Sequence, residues 1–234
     1  MSLPALHAWD LEPDEARRLQ AELRQRLVLA WDGRPVSSVA GVDIALPGDR
    51  ARAAIVVLSF PELQPLQAAT AEVQLTFPYI PGLLSFREGP AFLAAWARLT
   101  RLPDLVLFDG QGIAHPRGIG IASQMGLWLQ RPTIGVAKSR LYGRHEPPGP
   151  ERGDQAPLLS QSRPEHVIGM VLRTRPGTNP LYVSPGHLID VPHAVEFTLA
   201  CVTRYRLPEP TRWAHKVAGG EQLPPPPQSQ LQLC

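Results

Sequence analysis

The stretch Phe77-Pro78-Tyr79-Ile80-Pro81-Gly82-Leu83-Leu84-Ser85-Phe86-Arg87-Glu88 constrains this chain more than any other. Pro78 and Pro81 each fix their own φ. Each also drives the residue before it, Phe77 or Ile80, into an extended conformation. The tip that carries Tyr79 is therefore stiff, and a stiff aromatic tip can be driven between stacked bases. The stretch closes on an acid, Glu88, so a wedge and a candidate metal ligand arrive together. The plainer reading is a surface turn with a hydrophobic staple, and Ser85-x-x-Glu88 also spells a capping box. That register puts Pro90 inside a helix, where it removes a backbone hydrogen bond. Pro90 suits the first helical position better. A helix is therefore expected from Pro90 to Arg101, with Glu88 just ahead of it and free to point elsewhere.

The remaining pattern is that of an α/β chain. Residues from Pro13 to Ala30 read as a helix, with Ala16, Leu19, Leu23, Leu27 and Ala30 at helical spacing. Ser38 to Leu46 reads as a strand with Val42, Ile44 and Leu46 on one face and Gly41, Asp43 and Ala45 on the other. Small neighbours leave room for a ligand above Asp43. Ala53 to Phe60 and Ala69 to Phe77 are two more strands, and the short connections make an antiparallel meander. Leu105-Val106-Leu107-Phe108 is an apolar run typical of a strand covered on both sides. It ends in Asp109-Gly110-Gln111-Gly112, and ligands collect at the carboxyl ends of such strands. Ile119 to Leu129 reads as a helix, and Thr133 to Ala137 as a strand followed by Lys138. The sum is a mixed β-sheet, three antiparallel strands followed by parallel ones, with helices on both faces.

Gly143 to Pro164 is rich in Pro, Gly, Ser and charge and reads as a long loop or lid. His166 to Thr174 and Leu181 to Ser184 read as a hairpin, and Val191 to Arg204 and Pro210 to Ala218 as helices. Residues 1–218 are expected to form one catalytic domain, and 219–234, with four consecutive prolines, a disordered tail. No run is long enough to span a bilayer. Two cysteines, Cys201 and Cys234, make no disulfide framework and read as free thiols of a reducing, cytoplasmic protein. The balance of 23 Lys and Arg against 21 Asp and Glu is too even to argue for nucleic acid by itself.

The chemistry-bearing residues are scattered along the chain. Asp43, Glu88 and Asp109 each stand at an end or opening of an element. They are either separately solvated or gathered in one site. If gathered, two carboxylates about 4 Å apart repel by ~4 kcal/mol at an effective dielectric near 20. They then take up protons or bind a cation, and hard oxygen donors suit magnesium or manganese. Such a metal activates water and stabilises charge on a phosphate. Lys138 is either a surface lysine or a cation set against a scissile phosphate. His115 is either an exposed loop residue or a contact to a base or phosphate. His215, two residues after Trp213, is either inert or close to a metal-bound water. Gly82, Gly110, Gly112 and Gly135 fall beside these groups, as turn residues or as places where a ligand approaches bare backbone. Arg87, Arg117, Arg131, Lys138, Arg140 and Arg144 supply charge compatible with a phosphate track.

The motifs just named, with Gly41-Val42-Asp43, Gly135-Val136-Ala137-Lys138, the run Asn179 to His187 and the run Arg206 to Arg212, resemble the endonuclease V family. The likeness is collinear from the first helix to Ala218. It implies a ribonuclease H-like fold and a magnesium site, manganese substituting, at Asp43, Glu88 and Asp109. Lys138 and His215 are then catalytic auxiliaries. Tyr79, flanked by Pro78, Ile80 and Pro81, is the wedge that parts the strands. The flipped base lies against backbone near Gly82, Leu84, Gly110, Ile121 and Gly135. The implied substrate is DNA containing deoxyinosine, cut by a monomer at the second phosphodiester bond 3′ to the lesion to leave 3′-hydroxyl and 5′-phosphate ends. The alternatives are an inosine-specific ribonuclease of the same fold, a junction-cutting nuclease, and a non-catalytic nucleic-acid-binding module.

Overall fold

Gly41 decides how the centre of this molecule is packed. It lies on strand β1 (Ser38–Ala45), and a Cβ there would overlap the backbone of Pro210 and Thr211. The missing side chain lets the last helix, α5 (Glu209–Ala218), lie directly on the sheet. The computed structural model describes residues 5–224. Strands β2 (Arg50–Ser59) and β3 (Pro65–Gln74) continue antiparallel from β1 as the short connections require. On its other side β1 pairs parallel with β4 (Leu105–Phe108), and β4 pairs parallel with β5 (Thr133–Ala137). Both strands are buried along their whole length, as their unbroken apolar sequences demand.

Three further strands, β6 (Gln155–Leu159), β7 (Val167–Leu172) and β8 (Leu181–His187), complete one sheet in the order β3-β2-β1-β4-β5-β8-β7-β6. All three pair antiparallel, so the sheet carries antiparallel strands on both flanks of its parallel centre. Helices α2 (Leu84–Trp96) and α3 (Ile121–Leu129) cover one face through Phe92, Trp96, Ala122 and Met125. Helices α4 (Val191–Ala200) and α5 cover the other through Ala194, Val195, Ala214 and Val217. This is the ribonuclease H-like α/β architecture.

Several sequence expectations are corrected. The first helix, α1, is Pro13–Arg24 and stops before Ala30. Val28 is drawn off instead to the end of β8, where its N–H meets His187 Nδ1 at 3.3 Å and its carbonyl accepts the Leu188 N–H at 2.6 Å. Helix α2 begins at Leu84, so Pro90 lies inside it and Glu88 is a helical residue. Ser85 does not cap it; its hydroxyl donates to Gln124 Oε1 at 2.6 Å. An interior proline costs about 3 kcal/mol. Burying Phe86, Phe92 and Trp96 on the same helix, at about 1.5–3 kcal/mol each, outweighs it.

The stretch from Gly143 to Pro164 is not a structureless lid. It contains β6, whose Pro157 is tolerated because β6 is the edge strand, and a bridge from Arg144 to Leu159. Cys201 is a buried free thiol. Of the expected tail, Glu221 accepts from Lys216 at 2.7 Å and Leu223 packs on the core. Residues 225–234, including Cys234, lie outside the described residues.

Candidate active site

Asp43, Asp109 and Lys138 stand at or just past the carboxyl ends of β1, β4 and β5, three adjoining parallel strands. Sheet register alone therefore brings them together. The N–H of Asp109 donates to the carbonyl of Val42 at 3.1 Å, which ties the end of β4 beside Asp43. Lys138 Nζ is ion-paired with Asp109 Oδ2. Glu88 reaches the same place from α2 on one face of the sheet, and His215 from α5 on the other. His215 Nδ1 lies 3.1 Å from Asp43 Oδ2. Its arrival follows from Gly41. Two strand residues from Gly41 to Asp43 advance about 6.6 Å, and four helical residues from Thr211 to His215 advance about 6 Å. The room above Gly41 is thus taken by α5 itself.

Asp43, Glu88 and Asp109 line one cavity of about 220 Å³ with Val42, Ile44, Leu84, Phe108 and Ile121. Burial, then the charge of Asp43, pushes the Glu88 carboxyl up to about 7, with Arg87 opposing and Asp109 adding a smaller push. Burial also raises Asp109, with Lys138 pulling the other way. Among the described residues no three His, Cys, Asp or Glu side chains already converge on one point as metal ligands. Asp109 is turned to Lys138 and Asp43 to His215. The donor set nevertheless fits a hard divalent cation. It offers carboxylate oxygens only, and two of the three acids are held above their ordinary pKa by burial first and by the neighbouring carboxylates second.

A second cavity, of about 380 Å³, opens beside the first and shares Leu84, Glu88, Asp109 and Ile121 with it. That size falls within the ~300–1,000 Å³ of small-molecule sites. Tyr79, Pro81, Gly82, Gly110 and Gly120 line it, together with the segment Lys138–Leu141. Tyr79 is 66% exposed at the rim, and Pro78 beside it is also exposed. Ile80 is anchored in a small core with Phe77, Leu83 and Phe86. Neither α2 nor α3 has a side-chain cap at its first turn, and both begin on this cavity wall. The Phe86 N–H already donates to the Leu83 carbonyl at 3.1 Å and the Ala122 N–H to the Gln111 carbonyl at 3.0 Å. The first helical N–H groups, of Leu84 and Ile121 on the cavity wall, have no acceptor among the described residues.

Gly82, at φ +79°, holds the loop by its carbonyl. That oxygen accepts from Gln20 Nε2 at 3.1 Å, from Arg117 Nη2 at 2.6 Å and from His115 Nε2 at 3.0 Å. The Arg117 N–H donates to His115 Nδ1 at 3.1 Å, so the His115 proton is on Nε2. Burial and the Arg117 charge lower His115 to about 4. His115 is therefore a neutral brace, 3% exposed, that also lines the larger cavity, and it is not the exposed loop residue of the plainer reading.

Gly112 and Gly135 also stand behind the wall. A Cβ on Gly135 would overlap Gly112 N, so the two let the Asp109–Gly112 turn pack onto β5. Half of the expected phosphate track is committed inward. Arg87 donates to the Phe77 carbonyl, Arg117 to Gln20 and Gly82, and Arg131 to the Pro103 carbonyl. Sequence reasoning missed Gln20, buried on α1, and Arg206, which donates to the Lys138 and Pro180 carbonyls. Gln20 sits in no motif, and Arg206 opens the run Arg206 to Arg212 without a role there; only their long-range partners reveal what they hold.

Carboxylates at the ends of neighbouring parallel strands, joined by a helical acid in a ribonuclease H-like sheet, define a nuclease. The family model of Endonuclease V matches residues 21–216, and the chain belongs to that family of DNA-cleaving hydrolases. It is 50% identical to the Endonuclease V of Roseiflexus sp. (strain RS-1) over 216 residues, 92% of this chain and 96% of that one. It is 43% identical to the crystal structure of Endonuclease V from Streptomyces avermitilis, with a TM-score of 0.85 over 93% of this chain and 95% of that one. It also resembles Ciona intestinalis Endonuclease V, solved with a 23mer DNA containing an inosine followed by a ribo-adenosine, at 27% identity and a TM-score of 0.76. That likeness covers 89% of this chain and 97% of the other.

Proposed function

We propose that this endonuclease is a magnesium-dependent DNA repair enzyme that recognises deoxyinosine and hydrolyses the second phosphodiester bond 3′ to it, leaving 3′-hydroxyl and 5′-phosphate ends. The observation that carries the reading is the pair of adjoining cavities, one acidic and one base-sized, sharing Leu84, Glu88, Asp109 and Ile121. The inosine-containing DNA bound by the Ciona relative supports the substrate. Tyr79 enters the duplex, and the lesion swings out into the larger cavity. Extrusion costs a few kcal/mol, least for a weakly paired base. Backbone N–H groups at the starts of α2 and α3 donate to the C6 carbonyl of hypoxanthine. Adenine carries an amino group there and leaves such a donor unpaired, at about 1–3 kcal/mol.

Asp43, Glu88 and Asp109 would hold the divalent ion, magnesium or manganese, which supplies an activated water and neutralises charge at the phosphate. Lys138 orients Asp109 and adds positive charge at the scissile group. His215 keeps Nδ1 on Asp43 while its side chain stays largely exposed to solvent. These groups all fall within residues 1–218, which we read as one catalytic domain of a monomeric, cytoplasmic enzyme. No helix among the described residues is long and apolar enough to cross a membrane.

The test is a labelled duplex with one deoxyinosine, incubated with and without magnesium, and the cut mapped to the nucleotide. Metal-dependent incision one nucleotide beyond the bond adjoining the lesion is expected. Indifference to inosine, or preference for a matched inosine-containing RNA, would overturn the assignment.

A further inference from the structure

The wall of the larger cavity carries a hydrogen-bond chain whose direction is fixed from its far end. His7 Nδ1 faces the carbonyl of Ala8 at 2.8 Å, so the ring proton is on Nδ1 and Nε2 presents a lone pair. That Nε2 lies 2.9 Å from the amide nitrogen of Gln124, which must then donate. The donation orients the amide and leaves Gln124 Oε1 facing Ser85 Oγ at 2.6 Å. The Ser85 hydroxyl hydrogen is thereby spent. Ser85 is 3% exposed, lies on the cavity wall and has only lone pairs left to offer.

The far end of the chain is pinned. Trp9 stacks on Trp128 with ring centroids 4.9 Å apart, and His7 stands edge-on to both at 4.5 and 4.8 Å. Gly89 on α2 makes room for Trp9, since a Cβ there would come within 2.5 Å of the indole. Burial in this aromatic nest lowers the His7 pKa, which keeps the ring neutral and the chain in one sense.

We propose that Ser85 is a hydrogen-bond acceptor that reads the N1 position of the extruded base, with Gln124 and His7 as the positioning residues that forbid it to donate. This rests on the reading that the cavity takes a 6-oxopurine. A 6-oxopurine carries a hydrogen on N1 and is accepted. Adenine presents a lone pair at N1, which faces the lone pairs of Ser85 and is repelled. The N1 reading is a second criterion, chemically separate from recognition of the C6 carbonyl by backbone N–H groups.

The experiment measures Kd, with calcium in place of magnesium to prevent cutting, for duplexes holding deoxyinosine, unsubstituted purine deoxyriboside or adenine at one position. Purine deoxyriboside lacks both the C6 oxygen and the N1 hydrogen. Ser85→Ala is expected to weaken inosine binding roughly fivefold to tenfold and to leave purine binding unchanged or tighter. Gln124→Leu frees the hydroxyl to donate and is expected to lower the inosine-to-purine ratio similarly. Gln124→Glu still accepts from Ser85 and is expected to keep the parental ratio. Equal effects of Ser85→Ala on both duplexes, or no effect on either, would overturn the proposal, as would equal ratios for the two Gln124 variants. A parent protein that binds inosine no better than adenine would instead overturn the reading of the cavity, and the proposal with it.

Discussion

His215 Nδ1 and Asp43 Oδ2 lie 3.1 Å apart, although 172 positions of sequence separate them. The contact depends on the backbone of α5 touching Gly41. Gly41→Ala is therefore expected to lift α5 from the sheet. Overpacking of this kind costs about 1–3 kcal/mol, so the melting temperature should fall along with incision. His215→Ala, at a largely exposed side chain, should reduce incision with the melting temperature unchanged. Equal stability of the Gly41→Ala protein and its parent would contradict the packing argument.

Asp43→Ala and Asp109→Ala should each abolish incision of a deoxyinosine duplex while leaving its binding within about twofold, since the base cavity is braced by Gln20, His115 and Arg117 instead. Gel-shift titration beside the cleavage assay separates the two. Loss of binding in a folded Asp109→Ala protein would show that the two cavities do not divide the work.

Tyr79→Ala should do the reverse. The side chain is exposed at the rim, so its removal should not lower stability. Base–aromatic stacking contributes about 1–3 kcal/mol per base, so lesion affinity should drop roughly fivefold or more, with the magnesium dependence of the remaining activity unaltered. Unchanged affinity for the lesion would remove the wedge.

Glu88 makes the metal-free protein sensitive to pH in an unusual sense. Its folded pKa is about 7, above the ordinary value of 4.5. Between those values the native state holds a proton that the unfolded chain has released. Stability from this group is therefore full below the unfolded value and is lost as pH rises from there to the folded value, by about 3 kcal/mol. His115, lowered to about 4, acts oppositely and weakens the fold as pH falls from 6.5. The Glu88 part is isolated by comparing melting temperatures of Glu88→Gln and its parent from pH 5 to 8 in chelator. The gain of the variant over the parent should grow with pH, and added divalent ion should stabilise the parent more at pH 8 than at pH 5.5. A constant difference across that range would refute the assigned pKa.

Much of this was legible in the sequence, for identifiable reasons. The apolar runs at Leu105 and Thr133 have no polar alternation, so their strands and the acid or lysine that follows could be placed to the residue. Pro78 and Pro81 announced a stiff loop. Helix α2 was misplaced because a local rule about Pro90 was outweighed by the burial of three aromatic rings that only the folded sheet supplies. The β6 edge strand was hidden by Pro157, which forbids a central strand but not an edge. The brace at Gly82 was invisible, since Gln20, His115 and Arg117 meet there from distant segments. Arg117 and Arg131 looked like surface charge because nothing local says that a guanidinium will satisfy buried carbonyls.

The site draws its acids from the first half of the chain and its histidine from the last helix. During synthesis, β1, α2 and β4 leave the ribosome long before α5 does, so an unfinished copy has acids but lacks the element that closes over Gly41. The assembled site therefore waits on the closing residues of the fold, which alone bring His215 to Asp43.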